Sequence, residues 1–258
     1  MRQRIWELDF IRGFCVTLMI MDHLLFDLGF VFLEAWLPAG GSGLLFTLGD
    51  FALNFYWFHP LRKTVQALAL ACFIGISGLS CSFSASNLKR GLKLLLVALL
   101  LTLATWAMDQ LSGYQDHFII RFGILHLLAS SILAYAFLRR LPKGLVLALG
   151  LAMAAGGVYF QAHPSAWAGL LPFILGVGGG AYSADYYPVL PWMGYFLAGA
   201  AVSGSLLYQE RRSCFPKHGQ GKGLRPFMFF GRHALIVYVL HQPAVYGLLL
   251  LIGWLAGY

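Results

Sequence analysis

The sequence predicts an all-α fold, a polytopic bundle of about seven membrane-spanning helices, and three observations carry that prediction. Of its 258 residues 59% are hydrophobic and 11% charged, where a soluble domain carries about 25% charged residues. Apolar runs near twenty residues recur along the chain, the length that crosses a bilayer as a helix. These runs are continuous, not alternating, which excludes a β-barrel. No polar stretch is long enough for a second domain, so residues 1–258 read as one integral-membrane domain.

Helix 1 is expected from about Asp9 to Phe32, starting in the cytoplasm. Arg2 and Arg4 followed by apolar residues resemble a signal peptide, but Asp9, Arg12, Asp22 and Asp27 interrupt the apolar core. A small-residue cleavage site is also missing, so a retained helix is expected. Glu34 to His59, rich in Gly and aromatic residues, reads as an outer interfacial segment. Helix 2 (about Pro60 to Ser84) ends in GISGLSCSFSAS, small residues that suit close backbone packing. Helices 3 (Leu92 to Gln110), 4 (His117 to Leu138) and 5 (Leu145 to Phe160) follow.

The stretch near 166–187, WAGLLPFILGVGGGAYSADYY, is apolar but interrupted by Pro172 and five glycines. If it spans, the basic run Arg211 to Arg232 lies outside, against the tendency of Lys and Arg to stay cytoplasmic. A broken or re-entrant segment keeps that run inside. Broken backbone at membrane depth lines a cavity or is buried in protein. Helix 6 (Val189 to Tyr208) and a last helix (about His233 to Trp254) complete seven spans, with eight as the alternative. The N-terminus is then cytoplasmic and the C-terminus extracytoplasmic, in a plasma (inner) membrane. The net charge of +8 follows this topology and does not call for nucleic acid. Cys15, Cys72, Cys81 and Cys214 have no metal-ligand spacing, and free thiols are expected.

Ionisable groups inside the first span are the candidate chemistry, because lipid makes each of them costly. At roughly 100° per residue, Asp9, Arg12, His23 and Asp27 project within about 60° of one another, and Asp22 points nearly the opposite way. His23 and Asp27 at i, i+4 suit a base whose ring is oriented by a carboxylate. One His and one Asp fall short of a metal site. Asp9 and Arg12 suit a supporting pair or a simple helix staple in equal measure. Arg121 and His126 on helix 4, Asp185 before helix 6 and His241 in the last helix are candidates for a cavity or for the acceptor side. Lys89, Arg90 and Arg232 could bind the phosphates of a cytoplasmic donor. The same His/Asp stripe would also serve a proton- or ion-coupled transporter, and polar groups that only fix helix register would serve a structural subunit.

RIWELDFIRGFCVTLMIMDH (Arg4 to His23) resembles the opening of membrane acyltransferases. FIGISGLSCSFSASNLKRGLK, RFGILHLLA, DYYPVLPWMGYFLAG and GRHALIVYVLHQP extend the likeness over most of the chain. Together they resemble small bacterial relatives of the heparan-α-glucosaminide N-acetyltransferase catalytic domain. The resemblance implies transfer of an acetyl group from acetyl-CoA, a co-substrate on the cytoplasmic side, to a small amine or sugar acceptor at or across the membrane. It places Arg12 and Gly13 in the start motif and His23 at the histidine fourteen residues after Asp9. In the lysosomal enzyme Asn stands at the His23 position and the catalytic histidine follows, whereas the stretch around Glu34 here has none. Either His23 takes that role or the chemistry differs. A homo-oligomer is compatible with all of this.

Overall fold

The computed structural model describes residues 5–36, 43–84, 86–113, 116–163, 165–202 and 221–256. Arg2, Arg4, Cys214 and most of the basic run from Arg211 lie outside them, as does helix 6 beyond Val202. The described residues form ten helices and no sheet, only isolated bridges. Five helices are long and apolar enough to cross a membrane: Trp6–Trp36, Pro60–Ser82, Asn87–Ser112, Lys143–Ala162 and Ala234–Ala256. Three shorter apolar helices accompany them, Leu44–Tyr56, Ile124–Leu138 and Val189–Val202. The chain divides into two compact units, one of Ile5–Phe73 with Phe215–Tyr258 (the terminal unit) and one within Ile74–Cys214 (the central unit).

In the terminal unit, α1 (Trp6–Trp36) begins with Glu7 and Asp9 in its first turn, where carboxylates favour the helix dipole. Its 31 residues rise about 46 Å at 1.5 Å each, more than the roughly 30 Å of a hydrocarbon layer. From Asp27 to Phe32 the helix widens to π geometry, with Leu33 N–H donating to Leu28 O. α2 (Leu44–Tyr56) ends in a second π turn, where Trp57 N–H reaches Ala52 O at 3.1 Å. The two π regions touch through small residues. A Cβ on Gly29 would meet Leu53 N at 3.0 Å, and one on Gly49 would meet Leu28 O at 2.9 Å. The expected interfacial segment Glu34 to His59 is thus largely helical: α1 continues to Trp36, and α2 fills much of the rest.

α3 (Pro60–Ser82) follows and contains the boundary between the units. The two last helices, α9 (Arg225–Arg232) and α10 (Ala234–Ala256), are numbered after the five of the central unit. α9 crosses α1 backbone to backbone, since any Cβ on Gly13 would collide with Phe227 O and any on Gly231 with Asp9 O. Leu28, Phe32 and Trp36 of α1 close a core with Leu249 of α10.

The central unit holds α4 (Asn87–Ser112), α5 (Ile124–Leu138), α6 (Lys143–Ala162), α7 (Leu170–Leu175) and α8 (Val189–Val202). α4 packs on α5, and α6 packs on α8, with Gly150 and Gly194 facing each other's helix. Helix 4 was expected from His117 but starts at Ile124. The intervening N–H groups have other acceptors: His117, Phe118 and Ile119 donate to Asp109, and Ile120 to Thr105 Oγ1. A chain so tied cannot also make the first turn of a helix. The stretch near 166–187 is no continuous helix. It folds as α7, closed by Gly176 at φ 78°, and as irregular chain in which Gly169 N–H donates to Gly179 O and Gly179 N–H to Trp167 O. Leucines of α4 (Leu96, Leu99, Leu100, Leu103) and α10 (Leu248, Leu250, Leu251) stand exposed, an arrangement suited to lipid and costly in water.

Candidate functional site

The candidate residues of the terminal unit occupy three levels along α1. At the first level Asp9 lies between two guanidiniums, 3.5 Å from Arg12 Nη1 and 3.5 Å from Arg232 Nε. The glycine-to-backbone crossing of α1 and α9 is what brings Arg232 there, because Gly231 sits against Asp9 itself. The start motif Asp9-x-x-Arg12-Gly13 therefore works as one piece: Gly13 admits α9, and Asp9 receives its arginine.

The second level carries Asp22, on the opposite face. Arg62 Nε and Nη2 donate to its two oxygens at 2.8 and 2.5 Å, and Tyr56 Oη donates to Oδ1 at 3.0 Å. The Arg62 guanidinium also lies over the Trp57 ring, 3.7 Å from its centroid. This fork, with its planar stacking, fits arginine and not lysine. It joins α1 to the end of α2 and the first turn of α3.

The third level, starting one residue later, holds His23 and Asp27. His23 Nδ1 is 2.9 Å from Met19 O. A carbonyl oxygen only accepts, so Nδ1 carries a proton, and in the neutral ring Nε2 is the atom with the lone pair. The His241 ring of α10 lies beside it, centroids 4.8 Å apart and planes at 80°. Asp27 is 1% exposed, and both its oxygens accept from Gln242 Nε2, at 3.0 and 3.1 Å. The hydrogen bonds to Asp27 thus come from α10, one turn beyond His23.

The other expected site residues belong to the central unit. His126 is buried, its Nε2 3.1 Å from Thr102 Oγ1 and its Nδ1 accepting from Gly123 N–H. Arg121 donates to Asp116 and to Tyr182 O, both at 2.6 Å. Asp185 Oδ2 accepts from Ile124 N–H at 2.9 Å, at the start of α5. Arg121 with Tyr182 O and Ile124 with Asp185 fasten the chain between α4 and α5 to the chain before α8, while His126 ties the same chain to Thr102 of α4. Nearby, partial desolvation pushes the Tyr186 phenol up from its ordinary value while its hydroxyl donates to Phe173 O. Lys89 and Arg90 are exposed in the first turn of α4. Among the described residues no group of three His, Cys, Asp or Glu side chains gathers as a metal would require.

Sequence reasoning gave Arg62 no role, and it saw in Gln242 only a neighbour of His241 that could contact the carbonyl freed by Pro243 or a substrate, not a partner of Asp27. Arg62 carried no signal, since its partner Asp22 lies forty positions away and pairing across that distance has no period. Gln242 did carry one: it precedes Pro243, at a place in a spanning helix where the backbone ladder is already broken.

The family described as heparan-alpha-glucosaminide N-acetyltransferase, catalytic, matches residues 4–47 and 42–243. No curated protein matches the chain, and no solved structure does. The match takes in α1 with its three levels, the whole described central unit and α10 as far as Pro243. The chain belongs to the heparan-alpha-glucosaminide N-acetyltransferase catalytic family.

Proposed function

We propose that the chain is a membrane-embedded acetyltransferase that moves an acetyl group from cytoplasmic acetyl-CoA to an amine or hydroxyl at or across the membrane, with a sugar as the expected acceptor. Family membership supports the reaction class. The observation that carries the site is His23, whose Nδ1–H is pinned to Met19 O within a spanning helix while Nε2 keeps its lone pair.

In this reading His23 Nε2 takes a proton from the acceptor as its nitrogen or oxygen attacks the thioester carbonyl. The new C–N or C–O bond forms, the C–S bond breaks, and the proton passes from His23 to the departing thiolate. Asp27, held by Gln242, supplies the negative charge one turn away that favours the imidazolium. An acyl-histidine route through the same Nε2 is compatible with this geometry. Arg232 beside Asp9 is the proposed phosphate partner in the terminal unit, and exposed Lys89 and Arg90 are further proposed ones. Seven spans with a cytoplasmic N-terminus complete the proposal, which places the Asp9 level at the donor side.

Radiolabelled acetyl-CoA offered to the purified protein with a panel of amines and sugars tests this. His23→Ala is expected to lower transfer roughly 10²- to 10⁴-fold, the usual contribution of a general base, while acetyl-CoA still binds. A protein that neither binds acetyl-CoA nor acetylates any member of the panel overturns the proposal. Proton flux in liposomes without acetyl-CoA would point to transport instead.

A further inference from the structure

Two acceptor atoms on consecutive residues of α10 are buried without any donor: His241 Nε2 and Gln242 Oε1. Their character follows from what the other ends of the same side chains do. His241 Nδ1 lies 2.6 Å from Tyr238 O, so it holds the ring proton, and Nε2 has only a lone pair to offer. Gln242 spends its amide N–H on Asp27, which fixes the plane of the group and leaves the carbonyl oxygen as its free end. His23, alongside, is set the same way by Met19. Pro243 has no N–H for the Val239 carbonyl four residues back, so the backbone adds one more acceptor here.

This level of the terminal unit therefore presents lone pairs and asks for hydrogens. Helix packing alone does not explain that choice, because a buried acceptor without a donor weakens the fold, and leucine at either position would avoid the cost. Both helices are also irregular at this height, α1 by the π turn that begins at Asp27 and α10 by Pro243. Such interruptions are where helix packing yields most readily to a ligand.

We propose that His241 and Gln242 form the seat of the acetyl acceptor and recognise a group bearing at least two N–H or O–H hydrogens, a primary amine or a pair of neighbouring hydroxyls. The assignment rests on the transferase reading above and adds to it which atoms select the acceptor. Two hydrogens held by His241 Nε2 and Gln242 Oε1 orient the attacking atom, so that its lone pair turns away from α10; as the new bond forms, the hydrogen held at His241 is the proton that passes to His23 Nε2, whose ring lies beside it. A secondary or tertiary amine, an ether or a thiol leaves one or both acceptors bare and is disfavoured for that reason.

The test uses the full chain in nanodiscs, with glucosamine, glucose and N-methylglucosamine as probes, in wild type, His241→Phe and His241→Gln. Calorimetric binding without acetyl-CoA is read first. Wild type is expected to bind glucosamine or glucose, and which of the two it binds tells amine from hydroxyl pair. His241→Phe is expected to bind the preferred sugar roughly tenfold or more weakly, while His241→Gln, which restores an acceptor, recovers part of the loss. In turnover, the acceptor KM rises in His241→Phe and the acetyl-CoA KM stays fixed. The preference for glucosamine over its N-methyl form, if glucosamine is the preferred sugar, shrinks in the same variant. Wild type that binds neither sugar, or a His241→Phe protein that binds as wild type does, overturns the seat. Binding that depends on His241 without any acetyl transfer leaves the seat standing and removes the transferase reading instead.

Discussion

At the scale of single residues, α1 carries acids and bases of two kinds, which differ in whether their partners consume them. Asp22 is consumed: Arg62 and Tyr56 occupy its oxygens, and Trp57 covers the guanidinium. His23 and Asp27 keep something in hand, Nε2 on one and a carboxylate hydrogen-bonded by the Gln242 amide on the other. Asp22→Ala is therefore expected to behave as a stability lesion. It strands Arg62, whose side chain is 8% exposed, and breaking a buried pair from one side costs about 3–5 kcal/mol. Thermal unfolding in detergent should show the loss, and Arg62→Lys should show a smaller one because the fork and the stacking go while the charge stays. Unfolding temperatures unchanged in both variants would refute the staple. The opposite facing of Asp22 was legible in the sequence, since 100° per residue fixes it; the identity of its partner was not, because nothing local records which residue forty positions on will arrive. The same holds for His241, which the sequence offered as one dispersed histidine among several and which the fold sets beside His23.

Between helices, the clearest construction is Asp109. It is 2% exposed near the end of α4, and its two oxygens accept from three successive N–H groups, those of His117, Phe118 and Ile119. This carboxylate does for the chain before α5 what a capping residue does for a helix start. Asp109→Ala is expected to leave three amides without their acceptor and to raise hydrogen exchange across residues 117–119 well above the exchange within α5. Equal exchange in variant and wild type would refute it. The periodic apolar pattern located α4, α6 and α10 to within a few residues. It misplaced the start of α5 because HFIIRFG is apolar enough to read as helix, while its hydrogen bonds are already taken by α4 and by Ser183. The segment Glu34 to His59, expected only as interfacial, holds α2, whose Gly49 and Leu53 approach Leu28 and Gly29 closely.

For the whole molecule, the distribution of Lys and Arg predicts which ends of the helices share a side. With the N-terminus inside, the Gly113 end of α4 is expected outside and the Lys143 start of α6 inside. Single cysteines at these two positions, in a cysteine-free background, should label with an impermeant maleimide in intact cells at Gly113→Cys only. Labelling of both from the same side would overturn the seven-span arrangement. Composition alone made the membrane environment plain, and the exposed leucines of α4 and α10 agree with it. The number of crossings is harder to read from hydropathy, because Ile124–Leu138, at fifteen residues, is shorter than a bilayer is thick.

The π turn from Asp27 to Phe32 has a consequence for how α1 evolves and how it can be altered. It divides one rod into two registers. Before it, the spacing of Asp9, Arg12, His23 and Asp27 keeps four ionisable groups in phase along one line. Within it and just beyond, Leu28, Phe32 and Trp36 meet α10 at intervals of four. The slack residue lets the chemical half and the packing half of the helix drift independently, so either can change its sequence without dragging the other out of alignment.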